Sequence, residues 1–332
     1  MHILVNLPAT YHQAPALRPI WRRLKPLGPV RFRAHETHEQ MAPDLRWAEA
    51  VLMWSWPAPT AASLDGAPKL RFSGHIDVRQ SSARALLDRG LAVSLVKRCW
   101  SPAVAELALT LMLGALRRTS THHAAMWAGK EVWLGVNDLP RQNPDERQLT
   151  GRTVGVVGFG AIGRRLAELL QPFHVTLLVH DPFVPAEALQ PAGAEAVTIA
   201  QLVRRADVVV LAAAANAGTR HLMGAKEIRA LRPGAVLVNT ARAALVDEAA
   251  LIERLQKGDL YAALDVFDQE PLSKRSPLRK LPNVYLTPHR AGGVLESVQR
   301  AAQMLVGDVT AFAADQPRQY PLTPDMLPML DD

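Results

Sequence analysis

The sequence predicts an α/β protein built on two doubly wound parallel sheets. Three observations carry that prediction. At 332 residues the chain exceeds what one hydrophobic core normally serves. From Met1 to about Val96, short β-like runs alternate with helical stretches, and the same rhythm returns after Gly151. Where it returns, the stretch "VGVVGFGAIGRRLAELL" (Val154 to Leu170) reads as strand, glycine turn and helix, the usual opening of a separate βαβ half.

The first block offers five strands, "HILVNL", "VRFRA", "AVLMWSW", "KLRFSG" and "AVSLV". Its clearest helix is "SSARALLDRG", stopped at Gly90. "SPAVAELALTLMLGALRR" (Ser101 to Arg118) follows, with Ser101 as N-cap, Pro102 at the first helical position and Arg117 and Arg118 in the last turn. It is apolar nearly all round, so burial between elements or subunits is expected. "MWAGKEVWLGVNDLPRQNPDERQLTG" (Met126 to Gly151) has no period, and a loop this long reads as functional or as an arm reaching a partner. The second block supplies six strands, "TVGVVG", "VTLLVHD", "DVVVLAA", "AVLVNTA", "YAALDVF" and "NVYLTP". Its helix "VDEAALIERLQKG" is capped by Asp247 and stopped by Gly258, and a last helix from about Val294 to Ala314 lies beyond the sixth strand.

Composition narrows the function. Hydrophobic residues make up 48% and charged residues 21%, the balance of a globular enzyme rather than a disordered chain. The run Glu106 to Leu116 is too short and interrupted for a bilayer span, so a buried helix is expected. The amino-terminal stretch lacks a basic n-region and a small-residue cleavage site, and a cytoplasmic protein is the expectation. Cys99 is the single cysteine, which leaves neither a disulfide framework nor a thiolate metal cluster and reads as structural. The net charge of +7 is spread among interleaved acids, which reads as a solvated basic face suited to a small anion rather than a nucleic-acid groove. No HExxH or carboxylate cluster suggests a metal.

In "GFGAIG", Gly158 permits the tight turn, Gly160 lets backbone approach a pyrophosphate, and Gly163 lets helix and strand pack closely. The amides of Ala161 and Ile162 then face the phosphates at a helix N-terminus. An acid, Asp181, ends the next strand eighteen positions beyond Gly163. A carboxylate there accepts hydrogen bonds from the adenosine ribose and repels a 2′-phosphate, which favours NAD over NADP. No neighbouring Arg stands ready for that phosphate, since Arg164 and Arg165 read as surface residues. A ligand-free glycine turn and an S-adenosylmethionine site remain the other readings of this loop.

Three later strand ends, "VNTARAALVD", "ALDVFDQEPL" and "LTPHRAGG", put Arg242, Asp265, Glu270 and His289 where a parallel sheet presents its ligand crevice. With the fingerprint, "NTAR" followed by "VDEAAL", "LDVF" with "EPL", and "TPHRAGG", the chain resembles the NAD-dependent D-2-hydroxyacid dehydrogenase family over nearly its whole length. The resemblance implies two Rossmann-like domains. A nucleotide domain at 101–290, carrying a dimerisation helix and arm at about 101–150, would be inserted into a split substrate domain at 1–100 and 291–332, with the active site in the cleft between them. It also implies that Asp265 bonds the nicotinamide carboxamide, that Thr240 and Ala241 lie beside the nicotinamide, and that the chain is a homodimer.

The chemistry of the other residues stands without the family. Reducing a 2-oxo acid requires a group that holds a carboxylate and polarises a ketone, and the fork of Arg242 does both. His289 is the acid for the new alkoxide. Glu270, bonded to the other ring nitrogen, would orient it and favour its protonated form. The family's glycine-rich loop of the form GVGTDHID is reduced here to "LRFSGHIDV" (Leu70 to Val78), which leaves Ser73 and Gly74 as the candidates for binding the substrate carboxylate. The family's proline after the fourth strand is replaced by "LAAAANAGT". Trp54, Ser55 and Trp100 either line the pocket or pack in the core. The expected activity is NADH-dependent reduction of a glyoxylate- or hydroxypyruvate-like 2-oxo acid. A phosphite or formate dehydrogenase and a non-enzymatic NADH-sensing co-repressor are the alternatives on the same scaffold.

Overall fold

The computed structural model describes residues 1–133 and 146–330. The chain forms two compact units, one from Met1–Trp100 with Val294–Asp332, the other from Ser101–Gly293.

The first unit is built on a five-stranded parallel sheet in the order β2-β1-β3-β4-β5, where β1 is Ile3–Asn6, β2 Val30–Arg33, β3 Ala50–Met53, β4 Phe72–His75 and β5 Ala92–Leu95. β1, β3 and β4 are buried along their whole length, as strands covered on both faces must be, and β3 reads as an unbroken apolar run. One face is closed by the helix Leu295–Ala313, whose Ala301, Leu305, Val306 and Val309 pack with Ile3, Leu52 and Phe72. The opposite face takes Leu45, Leu64 and Leu86. The last helix of the sequence thus has its place in the first unit.

Edge strand β2 carries Arg31 and Arg33, and both donate to Asp44 at 2.7 and 2.9 Å, with His35 Nε2 2.9 Å from the same carboxylate. Burial raises the Asp44 pKa, but these partners outweigh it and hold the carboxyl below its ordinary value. At the other edge the tail returns along β5, with Leu95 N donating to Tyr320 O and Leu322 N to Val93 O. The buried Asp308 anchors this return by accepting from the amides of Gln319 and Tyr320. Both open edges of the sheet are thereby blunted.

The second unit has seven parallel strands in the order β12-β11-β10-β9-β6-β7-β8. These are β6 Thr153–Val157, β7 Thr176–His180, β8 Ala194–Ala196, β9 Val208–Leu211, β10 Val236–Asn239, β11 Tyr261–Leu264 and β12 Val284–Leu286. Strand order reverses at β6, which pairs with β7 on one side and β9 on the other, the switch point where such sheets bind ligands. Six of the strands are those expected; β8 is an addition. Its three residues, Ala-Glu-Ala, are too few to establish a period and include no β-branched side chain, so no local signal marks it.

The helix Ser101–Leu116 packs its Ala105, Ala108, Leu111 and Met112 into one face of this sheet with Val154 and Val238. Each large apolar side chain withdrawn here contributes about 1.5–3 kcal/mol. Gly114 is forced by this contact, since a Cβ there would stand 2.5 Å from the Tyr285 ring on β12. Two expectations are corrected. A 3-10 turn at Lys97–Trp100 runs straight into Ser101, so Ser101 is not a free N-cap, and the helix ends before Arg117. The continuous helix Lys97–Leu116 is 20 residues long, enough in length and composition to cross a membrane, although 56% of its 18-residue apolar window is buried inside the protein. The arm expected after Met126 falls in part on residues 134–145, which lie outside the described residues.

Candidate active site

The turn after β6 does what its three glycines require. Gly158 has φ +95°, and a Cβ there would lie 2.5 Å from the amide of Ala213 just past β9. A Cβ on Gly163 would strike the carbonyl of Gly158, so helix and strand touch there. A Cβ on Gly160 would meet nothing, which leaves open space above the backbone at the N-terminus of the helix Ala161–Leu170, where the amides of Ala161 and Ile162 begin the first turn. That opening over a helix N-terminus fits a pyrophosphate. Arg164 lies with its guanidinium 4.9 Å from the Phe159 ring centre and makes no ion pair among the described residues, whereas Arg165 is paired with Glu168. Arg164 is exposed beside the turn, the surface position read for it from the sequence.

Asp181 ends β7 half-exposed. Its two oxygens accept from the amides of Phe159 and Phe183 at 2.7 and 2.9 Å. These bonds tie the strand end to the glycine turn, and a carboxylate has further lone pairs for a ribose diol.

On the other side of the switch point, three neighbouring strand ends carry the chemical groups. After β10 the buried Asn239 clasps the "NTAR" turn, its Nδ2 donating to Arg242 O at 2.9 Å and its Oδ1 accepting from Ala241 N at 3.0 Å. Asn239 was not singled out from the sequence, because a strand-end Asn has many uses and only its two-ended bond reveals this one. Thr240 Oγ1 is buried without a partner, and Ala241 is buried beside it. An orphaned hydroxyl at this strand end fits a polar cofactor group. Arg242 is exposed, donates only to Ala241 O, and has no ion pair among the described residues. Most of its fork is open.

After β11 and β12 come Glu270 and His289. An ionised carboxylate only accepts, so His289 Nδ1–H donates to Glu270 Oε2, at 2.6 Å, and Nε2 is left free. The Phe267 amide donates to the other oxygen of Glu270 at 3.0 Å. Burial raises the Glu270 pKa, but the bonds from His289 and Phe267 and the charges of His289 and Arg242 outweigh it and hold the carboxyl below its usual range. The side chains of His289 and Glu270 are 49% and 36% exposed, open to a ligand. His289 sits at φ +52°, a left-handed backbone rare for a residue with a Cβ.

Asp265 explains that backbone. Its carboxylate is wholly buried and accepts from Thr287 Oγ1 at 2.6 Å and from the amides of Arg290 and Ala291 at 2.8 Å each. Its carbonyl accepts from His289 N at 2.8 Å. Asp265 thus clamps the loop that carries His289. Ser73 and Gly74 are corrected as carboxylate ligands. Both lie inside β4, paired to β3 and β5, and both are sealed from solvent, with Gly74 packed among Leu305, Leu52 and Phe72. Without the paired glycines the segment stays in the sheet instead of looping out. Cys99 is buried, and burial pushes its thiol up to about 12 against the opposing charge of Arg300, so it is inert. Among the described residues no group of three or more His, Cys, Asp or Glu could hold a metal ion.

A doubly wound parallel sheet, a glycine turn at its switch point and a His–Glu pair on the far strand ends define the dinucleotide-dependent dehydrogenase class. The sequence model of the D-isomer specific 2-hydroxyacid dehydrogenase, NAD binding domain, matches residues 109–291. The chain is 33% identical over 254 residues to a glyoxylate reductase of Aeropyrum pernix, covering 75% of each. To a D-3-phosphoglycerate dehydrogenase of Methanocaldococcus jannaschii it is 32% identical over 289 residues, 86% of this chain and 53% of the relative, so it spans about half that protein's length. The solved 2-hydroxyacid dehydrogenase of Ketogulonicigenium vulgare has a TM-score of 0.76 and 27% identity, covering 97% of this chain and 98% of that one. The chain belongs to the D-isomer specific 2-hydroxyacid dehydrogenase family, and its second unit holds that family's NAD-binding domain.

Proposed function

We propose that this protein is an NADH-dependent reductase of a small 2-oxo acid. The observation that carries the reading is the His289 Nδ1 to Glu270 Oε2 bond of 2.6 Å, which leaves Nε2 without a partner among the described residues, together with Arg242 on a neighbouring strand end, which makes no ion pair among them. The opening over Gly160, the first-turn amides and Asp181 would hold the dinucleotide, with the orphaned Thr240 hydroxyl toward its nicotinamide end. NADH, when bound, supplies the hydride. Arg242 holds the substrate carboxylate and polarises the oxo group, and His289 Nε2 delivers the proton that completes the 2-hydroxy acid. The first unit is the substrate-binding one in this reading. A panel of glyoxylate, hydroxypyruvate, phenylpyruvate, formate and phosphite, followed by nicotinamide absorbance, tests it. Tight NADH binding with no turnover of any 2-oxo acid would leave the co-repressor reading standing.

NADH is expected to be preferred over NADPH, because the Asp181 anion meets any 2′-phosphate. Asp181→Ser should narrow the preference; equal kcat/KM for the two cofactors in the unaltered protein would overturn the assignment. We also propose a homodimer, supported by the exposed apolar side chains of Met126, Trp127, Val132 and Trp133 beyond the helix Ser101–Leu116. Light scattering reads the assembly directly, and a monomer at micromolar concentration would refute it.

Glu270→Gln should shift the pH limb of reduction downward, because it removes the anion that stabilises imidazolium. The sign follows from the depressed Glu270 pKa. Its interaction with His289 is fully present above the ordinary carboxyl pKa and is lost as pH falls through the lowered one. Above the ordinary carboxyl range Glu270 is therefore the anion that accepts from His289 Nδ1. NADH affinity should change little. A pH profile of the purified variant whose limb stays in place would show that the pairing does not tune the acid.

A further inference from the structure

The basic stretch at residues 18–25 lines a cavity of about 400 Å³ beside edge strand β2, wholly within the first unit. That volume falls in the range of small-molecule sites, roughly 300–1,000 Å³. The short helix Arg18–Arg22 contributes Arg18, Trp21 and Arg22, and the 3-10 turn Lys25–Leu27 that follows contributes Lys25. Phe32 comes from β2 and His12 from the connection after β1.

One wall is made of rings. Phe32 stands 6.2 Å from Trp21 edge to face and 5.6 Å from His12 at 32°. Trp21 is buried, its indole N–H donating to Tyr11 O at 3.4 Å, while Phe32 and His12 are half-buried. Burial lowers the His12 pKa, which favours the neutral ring beside Phe32. The rim, by contrast, is cationic. Arg18, Arg22 and Lys25 are exposed and make no ion pair among the described residues; of the three, only Arg18 donates to the protein from its side chain, with Nε 3.3 Å from Gln13 O. No Asp or Glu lines the cavity among the described residues. The alternation of β2 explains why. Val30 and Phe32 face the cavity, whereas Arg31 and Arg33 face the other way and take Asp44 between them. Three unneutralised cations around an apolar, ring-lined wall concentrate anions there.

We propose that this cavity binds a phosphate monoester carrying an aromatic ring, whereas the reductase groups belong to the second unit. The ring lies against Phe32, His12 and Trp21, whose faces and edges suit an aromatic partner. The phosphate sits at the rim, where the forks of Arg18 and Arg22 match its oxygens in pairs and Lys25 adds a compact charge. A phosphate dianion answers this rim better than a carboxylate, because a single negative charge leaves two of the three cations uncompensated. An anion without a ring forgoes the apolar wall. Each half of the ligand is thus recognised by a different part of the cavity.

The test is calorimetric titration of phenyl phosphate, inorganic phosphate and benzoate into the full chain in excess NADH, which keeps the glycine turn of the second unit from taking the probes. The variants are Arg22→Glu, Lys25→Glu and Phe32→Leu, with Arg242→Ala as the control for capture by the reductase groups. Arg22 and Lys25 are exposed, and leucine keeps apolar volume at Phe32, so the fold is retained; thermal melting checks it. Phenyl phosphate should bind at least about tenfold tighter than inorganic phosphate or benzoate. Arg22→Glu and Lys25→Glu should each weaken it by about tenfold or more, since a hydrogen bond to a charged group is lost and a repelling carboxylate replaces it. Phe32→Leu should narrow the advantage over inorganic phosphate by about threefold or more while leaving inorganic phosphate unchanged. Arg242→Ala should alter none of these affinities. Binding is read without turnover, so the outcome does not depend on the reductase reading. No binding of phenyl phosphate at millimolar concentration, equal affinity for inorganic phosphate or benzoate, rim variants that bind as the unaltered protein does, or a loss that follows Arg242→Ala would each overturn the proposal.

Discussion

Replacing His289 by alanine is expected to slow 2-oxo acid reduction by about 10²–10⁴-fold, the worth of a positioned general acid. The alkoxide formed as hydride arrives needs a proton, and among the groups on the three strand ends only His289 has a free ring nitrogen backed by a carboxylate, at 2.6 Å. Arg242 has only donors to offer, and Asp265 is buried inside its own loop. The substitution also touches the backbone, because position 289 sits at φ +52°. Asparagine accepts that conformation better than alanine, so His289→Asn separates lost chemistry from a displaced loop. Both variants should bind NADH nearly as the unaltered protein does, read by nicotinamide fluorescence, and both should lose turnover. An Asn variant that keeps more than a tenth of the rate would remove His289 from the role of acid.

The strands were legible because a parallel sheet covered on both faces demands unbroken apolar runs, and "ILVN", "VVVL" and "VLVN" satisfy it without help from distant residues. The glycine turn was legible for a related reason: the close approaches at Gly158 and Gly163 exclude every other side chain. What escaped depends on contacts far apart in the chain. β8 exists because β7 offers it an edge, and its own three residues favour no strand. The helix Lys97–Leu116 gains its first turn from the packing of the residues before Ser101.

The site shows the same division. Which strand ends carry Arg242, Glu270 and His289 follows from spacing, but the direction in which a loop carboxylate points does not. Asp265 turns inward to hold Thr287, Arg290 and Ala291, and nothing local distinguishes that from an outward turn. Ser73 and Gly74 were placed by likeness to a loop this chain has shortened. Once the paired glycines are gone, ladder bonds on both sides hold the segment in β4.

Arg242→Ala should lower kcat/KM for a 2-oxo acid by roughly 30- to 1,000-fold, and Arg242→Lys should restore only part of it. The guanidinium donates to a single protein acceptor, Ala241 O, and makes no ion pair among the described residues, although its charge reaches Glu270. Asn239 fixes the backbone that carries it by donating to the carbonyl of Arg242. Two charge-assisted bonds to a substrate, at about 1.5–3 kcal/mol each before the alanine variant's gain of water is subtracted, give a net loss of about 2–4 kcal/mol. The split between KM and kcat shows which end of the substrate the fork holds. A bond to the carboxylate is present before and during reaction and appears in KM, whereas polarisation of the oxo group strengthens as the alkoxide forms and appears in kcat. Losses in both are expected. Lysine keeps the charge without the planar fork, so it should recover more of KM than of kcat. If the alanine variant matches the unaltered protein in both constants on a substrate whose turnover depends on His289, Arg242 is not the anion-binding residue and the carboxylate must be held elsewhere.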